Sequence, residues 1–155
     1  MKKAIVLLCG LMLVSGVHAA GSQMNFGLNF GIMTQDNFKF DPIMWTVGAE
    51  LDFQLNDYVM LSPEVTLVGY KFAFKEFLLF PGAVLNFTAR SFFVGGGITK
   101  GFYIGSGDTT EITDVALKLN AGLLTDSIKL TAYIITPFNG IFEAMIIGAT
   151  LGFRL

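Results

Sequence analysis

The 155-residue sequence predicts an all-β protein: an eight-stranded antiparallel up-and-down transmembrane β-barrel, preceded by a cleaved signal peptide. Three observations predict this fold. Apolar and polar residues alternate with a period of two in successive segments, which is the pattern of strands with one apolar face. The segments are about ten residues long, the length that a tilted strand needs to cross a hydrocarbon core. Charged residues make up 14% of the chain, well below the fraction in a typical soluble domain.

The N-terminal residues have the organisation of a secretory signal peptide. Lys2 and Lys3 form a basic start, residues 4–14 an apolar core, and residues 17–19 a small-residue cleavage site. The apolar run is too short to span a bilayer, so it is not an anchor. We therefore expect export, a signal peptide over residues 1–19 cleaved after Ala19 or Ala20, and a barrel over residues 20–155.

The mature chain lacks the residues on which many active sites depend. From Ala20 onward it carries 8 Lys and Arg against 12 Asp and Glu, a net charge of −4. Cys9 and His18 are the single Cys and the single His, and both precede the cleavage site. Thiol and imidazole chemistry is therefore excluded, and we expect no enzyme activity, no cofactor and no metal. Without a basic cluster, we also expect no binding of nucleic acid.

The first three strands are the most regular. Strand one alternates from Met24 to Ile32, and a polar loop leads to a long hairpin over residues 43–70. In this hairpin the odd-numbered positions of the strands form an apolar parity, whereas the even-numbered positions form a parity that carries charged residues. Asn56 and Asp57 lie between its two halves and have turn chemistry. The predicted strands cover residues 24–32, 43–55, 59–70, 77–87, 92–99, 114–123, 128–134 and 145–155.

The later strands alternate less evenly. Residues 77–87 are apolar on both parities and include Pro81 and Gly82, so the pattern leaves the facing of this strand open. Residues 104–113 are predicted to form an exposed loop, the clearest one in the sequence. Residues 131–153 are apolar enough to suggest a membrane helix, but Pro137 and Gly140 interrupt them and each half alternates with period two. This favours two strands.

Aromatic residues fall near the two ends of the predicted strands, as in the interfacial girdles of membrane barrels. One group is Phe40, Trp45, Phe72, Phe74, Phe77, Phe102, Tyr103, Phe138 and Phe142. The other group is Phe26, Phe53, Tyr58, Phe87, Phe92 and Phe153.

If the apolar parity faces lipid, charged side chains occupy the lumen. They are Glu50, Asp52, Glu64, Lys100, Asp114, Lys118, Lys129 and Arg154. Because an eight-stranded lumen is just filled by side chains and buried charges must pair, we predict an ionic cluster that holds the barrel closed. A soluble barrel would turn the apolar parity inward, but the charges are too sparse for its surface.

Two alternatives remain open for the lumen. One is a narrow polar pore in which Glu64 and Arg154 exchange partners. The other is a barrel that binds small apolar molecules at lumen-parity positions. Those positions are Met44, Met60, Leu78, Phe80 and Val84.

Three segments resemble the small bacterial outer-membrane β-barrel proteins of the eight-stranded, OmpX-like or PorT-like kind. Residues 61–65 (Leu-Ser-Pro-Glu-Val) are similar to the third strand of that family, with its Pro-Glu-Leu sequence. Residues 77–85 resemble its proline-containing fourth strand, and residues 93–97 its glycine-rich fifth strand.

The resemblance implies a location in the cell outer membrane and a structural or interaction role. It implies contact with outer-membrane lipid, and contact with periplasmic chaperones and the barrel-assembly machinery during biogenesis. The insertion signal of such proteins ends on an aromatic residue, whereas here Phe153 is third from the end and Leu155 is last. We expect a monomer.

Overall fold

The computed structural model describes residues 24–34, 43–70, 77–104, 112–139 and 145–155, and these form a closed barrel. Every strand pairs antiparallel with the next, and the last strand returns to pair with the first. The predicted fold class is therefore confirmed. The predicted signal peptide lies outside the described residues. The strands are β1 (Met24–Thr34), β2 (Ile43–Asn56), β3 (Val59–Tyr70), β4 (Phe77–Ala89), β5 (Phe92–Ile104), β6 (Ile112–Leu124), β7 (Ile128–Pro137) and β8 (Ile146–Arg154).

Within the described ranges, no helix has the length and apolar character needed to cross a membrane. Of the segment that could suggest such a helix, residues 131–137 belong instead to β7 and residues 146–153 to β8.

The apolar parity faces outward, as the alternation predicts. In β2, for example, the alternate residues Met44, Thr46, Gly48 and Glu50 are buried, whereas each residue between two of them is more exposed. The barrel is thus inverted relative to a soluble protein, with polar groups inside and apolar groups outside. Outward apolar residues more than a third exposed include Phe26, Leu28, Phe30, Ile32, Val65, Leu67, Leu85, Val94, Ile98, Leu119, Leu123, Leu130 and Leu151.

The facing of β4, which the sequence leaves open, follows from its neighbours. Val84 and Asn86 are almost completely buried, whereas Leu85 and Phe87 are exposed. The inward residues of the first half of β4 are apolar too, because Leu78 and Phe80 pack against apolar side chains inside the barrel. A strand with apolar groups on both faces shows no alternation, although its facing is fixed.

Several strands are longer than predicted. β5 continues to Ile104 and β6 begins at Ile112, so part of the predicted loop at 104–113 is strand, and residues 105–111 lie outside the described residues. Pairing explains the difference, since Ile104 is opposite Phe77 and Phe102 is opposite Ile112. β7 likewise continues to Pro137.

The two ends of the barrel differ. The turn end carries the short connections at residues 57–58, 90–91 and 125–127, together with the start of β1 and the end of β8. The opposite end, here called the loop end, is where β1 ends and β2 begins. Arg90 adopts a left-handed conformation with φ of 56°, which the tight β4–β5 turn requires.

The turn end also carries exposed aromatic side chains, as the girdle pattern predicts. They are Phe26, Tyr58, Phe87, Phe92 and Phe153. At the loop end, Trp45 and Phe77 pack edge to face with ring centroids 6.1 Å apart. The girdle positions Phe40, Phe72, Phe74 and Phe142 lie outside the described residues.

Candidate functional site

The half of the lumen nearer the turn end contains a network of ion pairs. Lys129 Nζ lies 2.9 Å from Glu50 Oε2 and 3.0 Å from Asp52 Oδ1, and all three side chains are at most 4% exposed. Arg154 Nε lies 3.4 Å from Asp52 Oδ2. Glu64 is ion-paired with Lys118. We call these six residues the ionic region.

Hydrogen bonds from neutral side chains extend the ionic region along β2, β3 and β4. The Ser62 hydroxyl donates to Asp52 Oδ1 at 2.6 Å, and Asn86 Nδ2 donates to Ser62 Oγ at 2.9 Å. All three residues are at most 1% exposed. Asp52 therefore accepts a hydrogen bond from Ser62 and forms ion pairs with Lys129 and Arg154. These contacts offset the cost of burying its charge.

Each lysine of the network also lies over an aromatic ring. Lys118 Nζ is 4.6 Å from the centroid of the Tyr133 ring, and Lys129 Nζ is 5.3 Å from that of Phe93. These distances are within the range of cation–π attraction. Each ammonium group is therefore held between a ring on one side and carboxylates on the other.

Glycines provide the space for these two rings. Phe93 is directly opposite Gly122 on β6, and Tyr133 is directly opposite Gly148 on β8. A Cβ atom at Gly122 would be 2.7 Å from Phe93 Cζ, and one at Gly148 would be 2.8 Å from Tyr133 Cε1. Both distances are shorter than real carbon contacts, so the rings can lie across the sheet only where the partner has no side chain.

The same arrangement occurs on the outer surface of the described strands. Trp45 is directly opposite Gly69, and a Cβ atom there would be 2.8 Å from Trp45 Cη2. The indole therefore lies flat over the backbone of β3 near the loop end.

The half of the lumen nearer the loop end is filled differently. Met33, Met44, Val68, Tyr133 and Ile135 form a buried cluster, at most 5% exposed. Leu78 and Phe80 pack against it. We call these seven residues the apolar region; Tyr133 joins it to the ionic region through Lys118.

Little space remains between the two regions. A cavity lined by Glu50, Glu64, Lys118 and Lys129 has room for about one water molecule. A second, bordered by Met33, Val68 and Phe80, is similarly small. Within the described strands, the ion pairs and the apolar cluster therefore fill the lumen.

Six of the eight predicted lumen charges meet in the ionic region, but two do not. Lys100 is opposite Val115, an outward and exposed residue, and it lies on the outward parity of β5. The prediction that Lys100 faces the lumen is therefore wrong. Its charge suggested an inward position, but a lysine near a strand end can extend along the apolar surface towards water. Asp114 lies on the inward parity of β6 but is exposed near the loop end.

Glu64 and Arg154 do not contact each other in the structure. Glu64 pairs with Lys118, whereas Arg154 contacts Asp52 and donates from Nη1 to the Thr125 carbonyl at 3.0 Å. At the predicted insertion signal, Phe153 is exposed and the Leu155 amide donates to the Phe26 carbonyl at 2.8 Å. A role of Phe153 and Leu155 in insertion stays a prediction.

The sequence did not identify the neutral members of the site. Ser62, Asn86, Phe93 and Tyr133 all lie on the inward parity, which was the one available signal. Their roles depend on which residues are opposite each other across the sheet and the lumen, and a single sequence does not contain that register.

No family model matches the chain, and no curated protein matches it. Three solved structures share its fold. The de novo designed barrel TMB2.3 has a TM-score of 0.56 at 14% identity, covering 88% of this chain and 98% of its own. Neisserial surface protein A has a TM-score of 0.56 at 13% identity, with coverages of 88% and 99%. The outer membrane enzyme PagL has a TM-score of 0.50 at 13% identity, with coverages of 84% and 98%.

At these identities the similarity shows the fold alone. The chain is an eight-stranded closed β-barrel of the kind found in small bacterial outer-membrane proteins. Among the three similar structures are a designed protein and an enzyme, so the fold does not define one activity.

Proposed function

We propose that this protein is an integral outer-membrane β-barrel with a closed lumen, which has a structural or interaction role and no catalytic activity. The observation that carries the proposal is the filled lumen: ion pairs occupy one half and a buried apolar cluster the other. A barrel that neither conducts nor holds a ligand inside acts through its rim, its loops and its outer surface.

The outer face supports the membrane location. Large apolar residues are exposed on it, exposed aromatic side chains lie at the turn end, and Trp45 and Phe77 lie at the loop end. Water would solvate such a surface poorly, whereas lipid would cover it. The proposal includes cleavage of residues 1–19, export, contact with chaperones and the assembly machinery, and a monomeric barrel.

Cell fractionation tests the location. The full chain, expressed in a Gram-negative host, should be recovered with outer membranes and should migrate differently on gels before and after boiling. Mass determination of the recovered protein reports the cleavage site. Recovery in the soluble periplasm, with no shift on boiling, would overturn the location.

Conductance tests the closed lumen against the pore alternative. Purified protein reconstituted in planar bilayers should show no channels, and Glu64→Ala should also stay closed because the apolar region still fills the other half of the lumen. The outward neighbour Val65→Ala is the matched control. Stepwise conductance in wild type would overturn the closed lumen. Conductance in Glu64→Ala, but not in wild type or Val65→Ala, would favour a pore in which Glu64 acts as a gate.

Absence of catalysis is supported by the absence of His and Cys from Ala20 onward. An outer-membrane enzyme has the same fold, so a direct test is needed. Reconstituted protein incubated with phospholipid and lipopolysaccharide should leave their acyl chains intact in mass spectra. Release or transfer of an acyl chain, lost on heat denaturation, would contradict the proposal.

A further inference from the structure

The charges of the ionic region are segregated along the chain. The acids Glu50, Asp52 and Glu64 belong to β2 and β3, whereas the bases Lys118, Lys129 and Arg154 belong to β6, β7 and β8. We call β1–β4 the N-terminal half and β5–β8 the C-terminal half. Every ion pair found among the described lumen residues joins one half to the other.

The neutral contacts have the opposite distribution. In the N-terminal half, Asn86 on β4 donates a hydrogen bond to Ser62 on β3, and Ser62 donates one to Asp52 on β2. In the C-terminal half, Lys118 lies over Tyr133. Lys129 lies over Phe93 in the same half. Asp52, Lys118 and Lys129 therefore each have a contact within their own half that does not need the other half.

Within the N-terminal half the acids are poorly matched. Glu50 on β2 is directly opposite Glu64 on β3, and like charges at directly opposite positions are destabilising. The repulsion is offset in the barrel, because Lys129 pairs with Glu50 and Lys118 with Glu64. Both lysines come from the C-terminal half.

We propose that the ionic region is a closure device: the acidic N-terminal half recognises the basic C-terminal half, and this attraction drives the β1–β8 seam to pair. Two acidic halves or two basic halves would repel, which disfavours assemblies that bring like halves of two chains together. Buried ion pairs add little net stability over apolar packing, but an unmatched buried charge is strongly destabilising. The ion pairs therefore determine which strands pair more than they raise the stability of the closed barrel.

The seam passes through the network. Gly27 on β1 is opposite Glu50 on one side and Arg154 on the other. A Cβ atom at Gly27 would be 2.9 Å from Glu50 Cγ, so the glycine leaves the space in which β8 and β2 side chains meet. Arg154 reaches across this position to Asp52.

Crosslinking in the chain from Ala20 onward, the proposed mature protein, can follow seam closure. Phe30 and Leu151 are Cα partners across β1 and β8, and Val47 and Leu67 are partners within the β2–β3 hairpin. Cysteines at the first pair of positions report pairing of β1 with β8 at the seam. Cysteines at the second pair, in a separate protein, report formation of the β2–β3 hairpin within the N-terminal half. The mature chain has no cysteine of its own. Urea-denatured protein is diluted into phosphatidylcholine vesicles, and samples are crosslinked at intervals with a short thiol-specific reagent.

Charge variants are then compared in both backgrounds. Glu64→Lys and Lys118→Glu should each slow crosslinking at the seam roughly tenfold or more, because each leaves like charges facing across the lumen. Neither should slow crosslinking in the hairpin, where Glu64→Lys also removes the repulsion between Glu50 and Glu64. The double exchange Glu64→Lys/Lys118→Glu should recover most of the wild-type rate. Equal rates in all seam variants, or equal slowing in the hairpin background, would overturn the proposal.

Salt provides a second test that needs no charge variant. Attraction between open halves acts through water, so raising the salt from about 0.05 M to about 1 M should slow seam crosslinking of the wild-type network severalfold. Hairpin crosslinking should change little. If seam and hairpin respond to salt alike, or neither responds, charge recognition does not drive closure.

Discussion

The ionic and apolar regions fill adjacent parts of one lumen with different chemistry. In the ionic region every charge depends on a specific partner, such as Lys129 on Glu50 and Asp52. In the apolar region, Met33, Met44 and Val68 need contact with other apolar groups but no particular atom. The apolar region can therefore tolerate exchange of similar side chains, whereas the ionic region cannot tolerate loss of one partner.

The difference suggests a division of roles. Apolar side chains fill the lumen nearer the loop end and leave space for little more than one water molecule. Charged side chains near the turn end add specificity, since each accepts few partners. Variants in the two regions test this contrast, because the regions should respond differently to removal and to conservative replacement.

The largest effect is expected for Lys129→Met. The change keeps a similar length but leaves Glu50 and Asp52 buried without their shared cation, which should lower the free energy of unfolding by roughly 3–5 kcal/mol. Guanidinium titration in detergent micelles, followed by tryptophan fluorescence, measures this. Lys100→Met is the matched control, because Lys100 faces outward, and it should change stability by less than about 0.5 kcal/mol. If both variants lowered the free energy of unfolding by a similarly small amount, the charges of the ionic region would not depend on specific partners.

Neutralising the whole contact sharpens the same comparison. Glu50→Gln/Asp52→Asn/Lys129→Met removes all three charges together and should recover most of the loss seen in Lys129→Met. If the triple variant is as unstable as the single one, packing of the lysine stem over Phe93 matters more than the charges.

An intermediate effect is expected in the apolar region. Met33 is 1% exposed, so Met33→Ala should leave a cavity and cost roughly 2–4 kcal/mol in the same titration. Met33→Leu nearly conserves volume and should cost less than about 1.5 kcal/mol. A large loss for Met33→Leu would show that the apolar region is as specific as the ionic region.

A smaller effect is expected where the regions meet, at Gly97, which is opposite Val84 and Lys118. A Cβ atom at Gly97 would overlap the Ala83 carbonyl and lie 2.6 Å from Val84 Cα, both backbone atoms that cannot easily move. Gly97→Ala should cost roughly 1–3 kcal/mol by overpacking. Gly96→Ala is the adjacent control, because its Cβ would face outward, 3.4 Å from Leu119 Cδ2. Equal stabilities of the two variants would show that the lumen has room to spare there.

Much of the fold could be predicted from the sequence, because a period of two reports facing directly. The alternation from Ile43 to Leu67 placed Glu50, Asp52 and Glu64 inside and their apolar neighbours outside. The prediction was incomplete for β4, where Leu78 and Phe80 inside and Leu85 and Phe87 outside are all apolar. In such a strand only the pairing partners reveal which face is inward.

The site could be predicted only in part. Parity located the charges, but the pairing of Glu64 with Lys118 depends on the stagger of the closed barrel, which no local pattern encodes. Lys100 faces outward although it is charged, because its facing follows the parity of β5 and a lysine near a strand end can reach water along the surface. The lysine–aromatic contacts depend on Phe93 and Tyr133 lying opposite glycines, a relation between strands that a single sequence does not show.

Trp45 has a practical consequence. It is the single tryptophan of the chain, and it lies outward over Gly69, near the loop end and beside Phe77. Its emission therefore comes from one depth at one rim. Quenching by brominated acyl chains, with bromines at graded positions, would give the immersion depth of that rim in intact protein without any attached label.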